Sequence, residues 1–168
     1  MTTALHLVAV LAFTLLMAAA AFEDFRRLVI PNSLIIALVA VWPLSLVAEA
    51  VPLAAALEAL AIAVALFLVG ALLFARGLVG GGDVKLLCAA ALWAGPAATP
   101  ELLLVTAVLG GILALFLLSP LGAHVSFAGR LLFGPPGAAA IGGGRTPVPY
   151  GIAIAGAALI VTLQPFFG

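Results

Sequence analysis

The chain has 168 residues, 67% of them hydrophobic and only 7% charged, with a mean hydropathy of +1.43. A soluble domain of this length carries several times that share of charged residues, so the composition is that of an integral membrane protein. Formal net charge is zero, which leaves no basic face for nucleic acid, and the single cysteine, Cys88, excludes an internal disulfide or a cysteine-rich zinc site.

Six apolar runs follow one another at residues 5–22, 33–48, 53–74, 84–98, 102–118 and 148–167. Each is close to the roughly 20 residues that carry a helix across about 30 Å of hydrocarbon. They predict an all-α polytopic membrane protein, a bundle of about six transmembrane helices forming one domain over residues 1–168. The first run is a span that stays, because its first charge is Glu23 and its arginines follow the apolar stretch, unlike a secretory signal. The fourth is short and is expected to begin at Asp83. No internal repeat supports an inverted-repeat transporter.

The basic residues fix an orientation. Arg26 and Arg27 lie between the first and second runs, Arg76 and Lys85 between the third and fourth, Arg130 and Arg145 between the fifth and sixth. The alternate connections contain Glu49 and Glu101 but no Lys or Arg. By the positive-inside rule the basic connections are cytoplasmic and both termini face outward. Asp24 and Asp83 then share the cytoplasmic side. The long connection 119–147 mixes Gly-Pro clusters with an apolar patch around Arg130 (Val125, Phe127, Leu131, Leu132 and Phe133). An interfacial amphipathic helix and a plain linker both remain open for it.

An Asp at the edge of a bilayer is costly enough to mark function by default. Asp24 lies in Glu23-Asp24-Phe25-Arg26-Arg27, where the plain reading is a solvated charge paired with Arg26 or Arg27. Glu23 points about 100° away round the helix. Ile30-Pro31-Asn32-Ser33 follows; Pro31 ends regular structure and Asn32 or Ser33 is expected to cap the next helix. Asp83 closes the stretch Gly80-Gly81-Gly82-Asp83-Val84-Lys85, whose glycines allow close approach of another backbone. The plain reading of Asp83 is a helix cap. A phosphate loop lacks support, since Leu86 stands where a Ser or Thr would follow Lys85. Lys85 can snorkel to lipid phosphates. Glu58 lies inside the third run, and His6 and His124 are far from both aspartates. Cys88 reads as a small helix residue. Nothing suggests a cofactor or a metal site. Two carboxyls meeting at one membrane face suit peptide hydrolysis by an aspartic pair, one charged and one protonated.

Three segments in order, Asp24 with Arg26-Arg27 and Ile30-Pro31-Asn32, then Gly80-Gly81-Gly82-Asp83-Val84-Lys85-Leu86-Leu87, then Pro149-Tyr150-Gly151-Ile152-Ala153, resemble the type IV prepilin peptidases. These are GxGD intramembrane aspartic proteases. The resemblance implies that Asp24 and Asp83 are the catalytic pair, with Gly80, Gly82, Lys85, Pro31 and Asn32 shaping the loops or the substrate site. It implies a prepilin substrate with an apolar amino-terminal helix, its short leader removed at the cytoplasmic face of a bacterial or archaeal inner membrane. Larger members carry a methyltransferase segment with paired zinc-binding cysteines. Here nothing precedes the first span and Cys88 is unpaired, so the expectation is the short, peptidase-only form of Flp (tight-adherence) systems. A presenilin or signal-peptide-peptidase type of GxGD protease is the alternative enzyme, although its Tyr-Asp and Pro-Ala-Leu signatures are missing. A non-enzymatic membrane subunit or transporter is the alternative class.

Overall fold

A computed structural model describes residues 2–122, 124 and 148–164, and the protein is an all-α polytopic membrane protein. Among the described residues the main helices are α1 (Thr2–Arg27), α2 (Asn32–Ala48), α3 (Leu53–Ala75), α4 (Gly81–Leu118) and α5 (Tyr150–Leu163). Helices α1, α3 and α4 are long and apolar enough to cross a membrane, while α2 and α5 are shorter apolar helices. The connection 119–147, including the apolar patch around Arg130, falls largely outside the described residues.

The fourth and fifth apolar runs form one element bent at Gly95, earlier than the Thr99-Pro100-Glu101 break their boundaries imply. Gly95 adopts φ 73° and ψ 177°, a region that only glycine reaches without strain. Pro96 follows at once, where its fixed φ suits the first position of a new helix and its missing N–H costs nothing. Thr99 Oγ1 donates to the Gly95 carbonyl at 2.6 Å, one turn back across the start of the second limb. The second limb runs back towards the end where the first began. Glu101 accepts from Gln164 Nε2 at 2.7 Å near the end of α5, and Gly110 lies against Tyr150 at its start. The element also begins at Gly81, two residues ahead of Asp83.

Helix α5 occupies the centre, packed against both α1 and the second limb of α4. Its buried face is Gly151, Ala153, Ala155, Ala157 and Ala158 with Ile154 and Val161. Lipid tails are as apolar as leucine, so burial alone does not drive helices together in a bilayer; small side chains that permit close backbone approach do. Ala89, Ala90 and Ala91 of α4 serve the same purpose in the shared core. Phe13 of α1 and Trp93 of α4 stack at 4.6 Å between centroids, and the indole N–H donates to Leu38 O of α2 at 2.9 Å. Helix α3 is peripheral. It meets α4 through Ala59 and Ala63 against Leu92 and through Gly70 against Val84, and most of its large apolar side chains, with Glu58, are exposed.

The polar groups sort to two ends. His6 pairs with Glu49 at 3.4 Å at one end. Asp24 lies five turns further along α1, about 27 Å away, which nearly matches the hydrocarbon thickness of about 30 Å. Arg26, Arg27, Arg76 and Lys85 fall at the Asp24 end, where α1, α3 and α4 terminate or begin.

Candidate functional site

Asp24 sits in the last turn of α1 and is only 4% exposed. The arginines beside it are engaged elsewhere. Arg27 Nε approaches Glu23 Oε2 at 3.3 Å one turn back, and the Arg26 guanidinium lies 5.2 Å over the Phe22 ring. Asp24 instead reaches across the bundle. The Gly151 amide donates to its Oδ2 at 2.7 Å, and the next amide, Ile152, interacts with the same carboxyl. A buried carboxyl held this way is not the solvated helix-end charge of the plain reading.

The chain turns sharply after α1. Leu28 donates from its amide to Asp24 O at 2.9 Å and takes φ 53°, the left-handed conformation that ends many helices but that a leucine adopts at a cost of about 1 kcal/mol. Ile30 then turns inward and is buried. Pro31 is the residue that caps α2, with φ −61° and ψ 136°, and no side chain caps the helix. Asn32 therefore does not serve as the cap. It lies inside the first turn, and its Oδ1 accepts from Lys85 Nζ at 3.0 Å. Lys85 thus ties α4 to α2 as well as lying exposed at the membrane face.

Asp83 is the third residue of α4 and partly buried. Its carboxyl reaches back to the Gly80 amide, half of the reciprocal pairing by which an acidic side chain closes the start of a helix. A Cβ on Gly80 would stand 2.6 Å from Asp83 Oδ2, which explains the glycine there. At Gly82 a Cβ would touch Ile30 at 3.4 Å, and at Gly151 it would stand 3.0 Å from the tip of the same Ile30. Ile30 is therefore a wedge between Gly82 of α4 and Gly151 of α5.

Asp24 and Asp83 line one cavity of about 360 Å³, together with Leu28, Ile30, Asn32, Gly80 to Gly82, Lys85 and Val148. The residues singled out in the sequence thus converge, with Pro31 just outside the cavity wall. Ile30 and Gly151 were not among the expected site residues. Both stand inside the motifs already noted, Ile30 before Pro31-Asn32 and Gly151 after Pro149-Tyr150, but their roles depend on tertiary approach. Glu58, His6 and Cys88 are not part of this cavity.

A helical bundle with helices long and apolar enough to span a membrane thus gathers two acidic side chains into one cavity at one end. The sequence profile of the type IV leader peptidase family matches residues 11–115, more than half of the chain, and the chain belongs to that family. It is a peptidase. The matched segment contains both Asp24 and Asp83, while α5 lies beyond it. Comparison with curated proteins and with solved structures gives no match.

Proposed function

We propose that residues 1–168 form one transmembrane endopeptidase domain that removes the short leader of a type IV, Flp-like prepilin. Cleavage takes place at the cytoplasmic face of the bacterial or archaeal inner membrane, and Asp24 and Asp83 act together on water. The observation that carries this reading is the shared cavity, because family membership supplies a peptidase and the cavity supplies its two carboxyls.

One carboxylate accepts a proton from water as the water oxygen bonds to the scissile carbonyl carbon. The other, protonated, gives its proton to the carbonyl oxygen. Collapse of the tetrahedral gem-diol breaks the C–N bond: the leaving nitrogen takes the proton held by the first carboxyl, and one hydroxyl of the diol returns its proton to the second, which restores one charged and one protonated carboxyl. Gly80, Gly81 and Gly82 present no side chains to the cavity, which favours an extended substrate backbone lying beside Asp83. The apolar helix of the prepilin stays in the bilayer, while the leader reaches the cavity from the side where Arg26, Arg27 and Arg76 gather. No cofactor is required.

Co-expression of the chain with a candidate prepilin, followed by mass measurement of the pilin amino terminus, tests the reading. Loss of the leader after a glycine is the expected result. An intact leader on every such substrate, in cells where the chain is inserted, contradicts it.

A further inference from the structure

We infer that the turn Pro149-Tyr150-Gly151 is a positioning element for this peptidase, with the Gly151 amide fixing the Asp24 carboxylate against Asp83. The inference rests on the proposed role of the two aspartates. It concerns a segment outside the 11–115 family match.

Asp24 and Asp83 belong to helices whose direct contact is limited, Phe13 against Trp93 being deep in the bundle and away from the carboxyls. Something else must set their separation. Helix α5 packs on both α1 and α4. Its first turn carries two features that lock those neighbours. On the α4 side, the Tyr150 ring fills the notch at Gly110, where an added Cβ would meet the ring well inside contact distance. On the α1 side, Gly151 donates to Asp24 Oδ2 at 2.7 Å. A Cβ on Gly151 would stand 2.8 Å from that same oxygen, so only glycine lets the amide come this close. Pro149 is buried ahead of the turn, and Tyr150 N donates to Val148 O at 2.8 Å, which fixes the approach of the chain.

The two consecutive residues therefore connect the second limb of α4, the element whose first limb carries Asp83 in its first turn, to the carboxyl of Asp24. With Oδ2 held by a backbone donor that cannot rotate, the plane of the Asp24 carboxyl is fixed relative to the start of α5. A hydrogen bond from a fixed N–H to a carboxylate is among the stronger neutral-to-charged contacts. Its loss would free the carboxyl to rotate away from the reacting geometry, with little effect on where substrate binds.

The test replaces residue 151 by glycolic acid in the full chain, made by cell-free synthesis into lipid nanodiscs. This turns the Gly151 N–H into an ester oxygen and adds no atom. The same replacement at Gly156, inside α5, controls for general weakening of the helix. With a prepilin as substrate, the ester at residue 151 is expected to lower kcat about tenfold or more at unchanged KM, as loss of one preorganised donor does. The ester at residue 156 should leave kcat within about twofold. A second series protects the test should the ester chain not fold: Gly110→Ala should lower kcat by displacing Tyr150, and Tyr150→Leu on that background should restore part of it. Parent-level kcat in the ester at residue 151, or equal losses at both ester positions, overturns the inference. Those results would leave the aspartic pair standing if Asp24→Asn is inactive; cleavage by Asp24→Asn would instead remove the pair itself.

Discussion

The Gly80 amide closes on the Asp83 carboxyl within a single helical turn, and a Cβ on Gly80 would stand 2.6 Å from Asp83 Oδ2. The glycine before the acidic residue is thus a steric requirement of the carboxyl's position. Gly80→Ala is expected to lower kcat/KM by about a hundredfold, because a misplaced reacting group costs that much even at roughly 1 Å. Gly82→Ala should be milder, since its Cβ would meet Ile30 at an ordinary 3.4 Å, whereas Gly82→Val should abolish most cleavage. Membrane insertion should persist in all three, because it depends on the flanking apolar runs. Initial rates with equal amounts of inserted protein check the order; equal activity of Gly80→Ala and the parent would remove the steric argument.

Lys85 and Asn32 give a second prediction. Their 3.0 Å hydrogen bond joins two exposed side chains, so it shapes the rim of the cavity without belonging to the reaction. Lys85→Met and Asn32→Ala should each cost about 1 kcal/mol or less, the usual worth of one hydrogen bond. The double variant should resemble the worse single one, because both changes delete the same contact. A double-mutant cycle on kcat/KM measures this, and full additivity would show that the two residues act separately.

The bend at Gly95 concerns stability. Gly95→Ala forces a Cβ into φ 73° and ψ 177° and should destabilise the fold by about 1–3 kcal/mol. Thr99→Ala, which removes the 2.6 Å bond to Gly95 O, should cost about 1 kcal/mol. Unfolding in detergent resolves both. Neither residue lines the aspartate cavity, so activity per folded molecule should stay close to that of the parent.

Orientation has its own check. In a Cys88→Ser background, a cysteine placed at residues 28–31 should be shielded from an impermeant thiol reagent in intact cells, and one at residue 50 or 51 should react. The expectation follows from the four described basic residues gathered at the aspartate end, opposite the His6–Glu49 pair. The reverse pattern would place the cavity on the outer face.

How legible this was in the sequence differs from residue to residue. The apolar runs announced the helices, and among the described residues Arg26, Arg27, Arg76 and Lys85 fall at one end, because both signals are local. Asp24 and Asp83 were singled out by the cost of a carboxyl at a membrane edge and by the motifs around them, since Asp24 itself stands among Glu23, Arg26 and Arg27. The bend was misplaced because Thr99-Pro100-Glu101 has the composition of a turn, whereas the backbone reverses at Gly95, Pro96 takes the first position of the new limb and Pro100 is carried inside it. Asn32 has the chemistry of a cap, yet Pro31 takes that place and Lys85 draws the Asn32 side chain away. The roles of Ile30 and Gly151 could not be read locally. Ile30 matters because Gly82 and Gly151 close on it from two other helices, and Gly151 because its bond to Asp24 spans 127 residues.

If the pair acts as a unit, its two protons leave in coupled steps, and kcat/KM plotted against pH should be bell-shaped with limbs that belong to neither residue alone. Asp24 and Asp83 face one cavity, where ionising one carboxyl opposes ionising the other. A profile with a single limb across the range where the protein stays folded would point to one working carboxyl.

The most direct measurement compares leader removal by Asp24→Asn, Asp83→Asn and the double variant, reconstituted with a prepilin and followed by mass spectrometry of the pilin amino terminus. Asn keeps the shape of Asp and removes its acid–base chemistry, so each single variant should lose cleavage to below detection. The double variant should be no worse than either, as for groups that work as one unit. Thermal unfolding and insertion should match the parent closely enough to exclude misfolding. Substantial cleavage by either single variant, in chains shown to be inserted and folded, would contradict the assignment of Asp24 and Asp83 as the reacting pair.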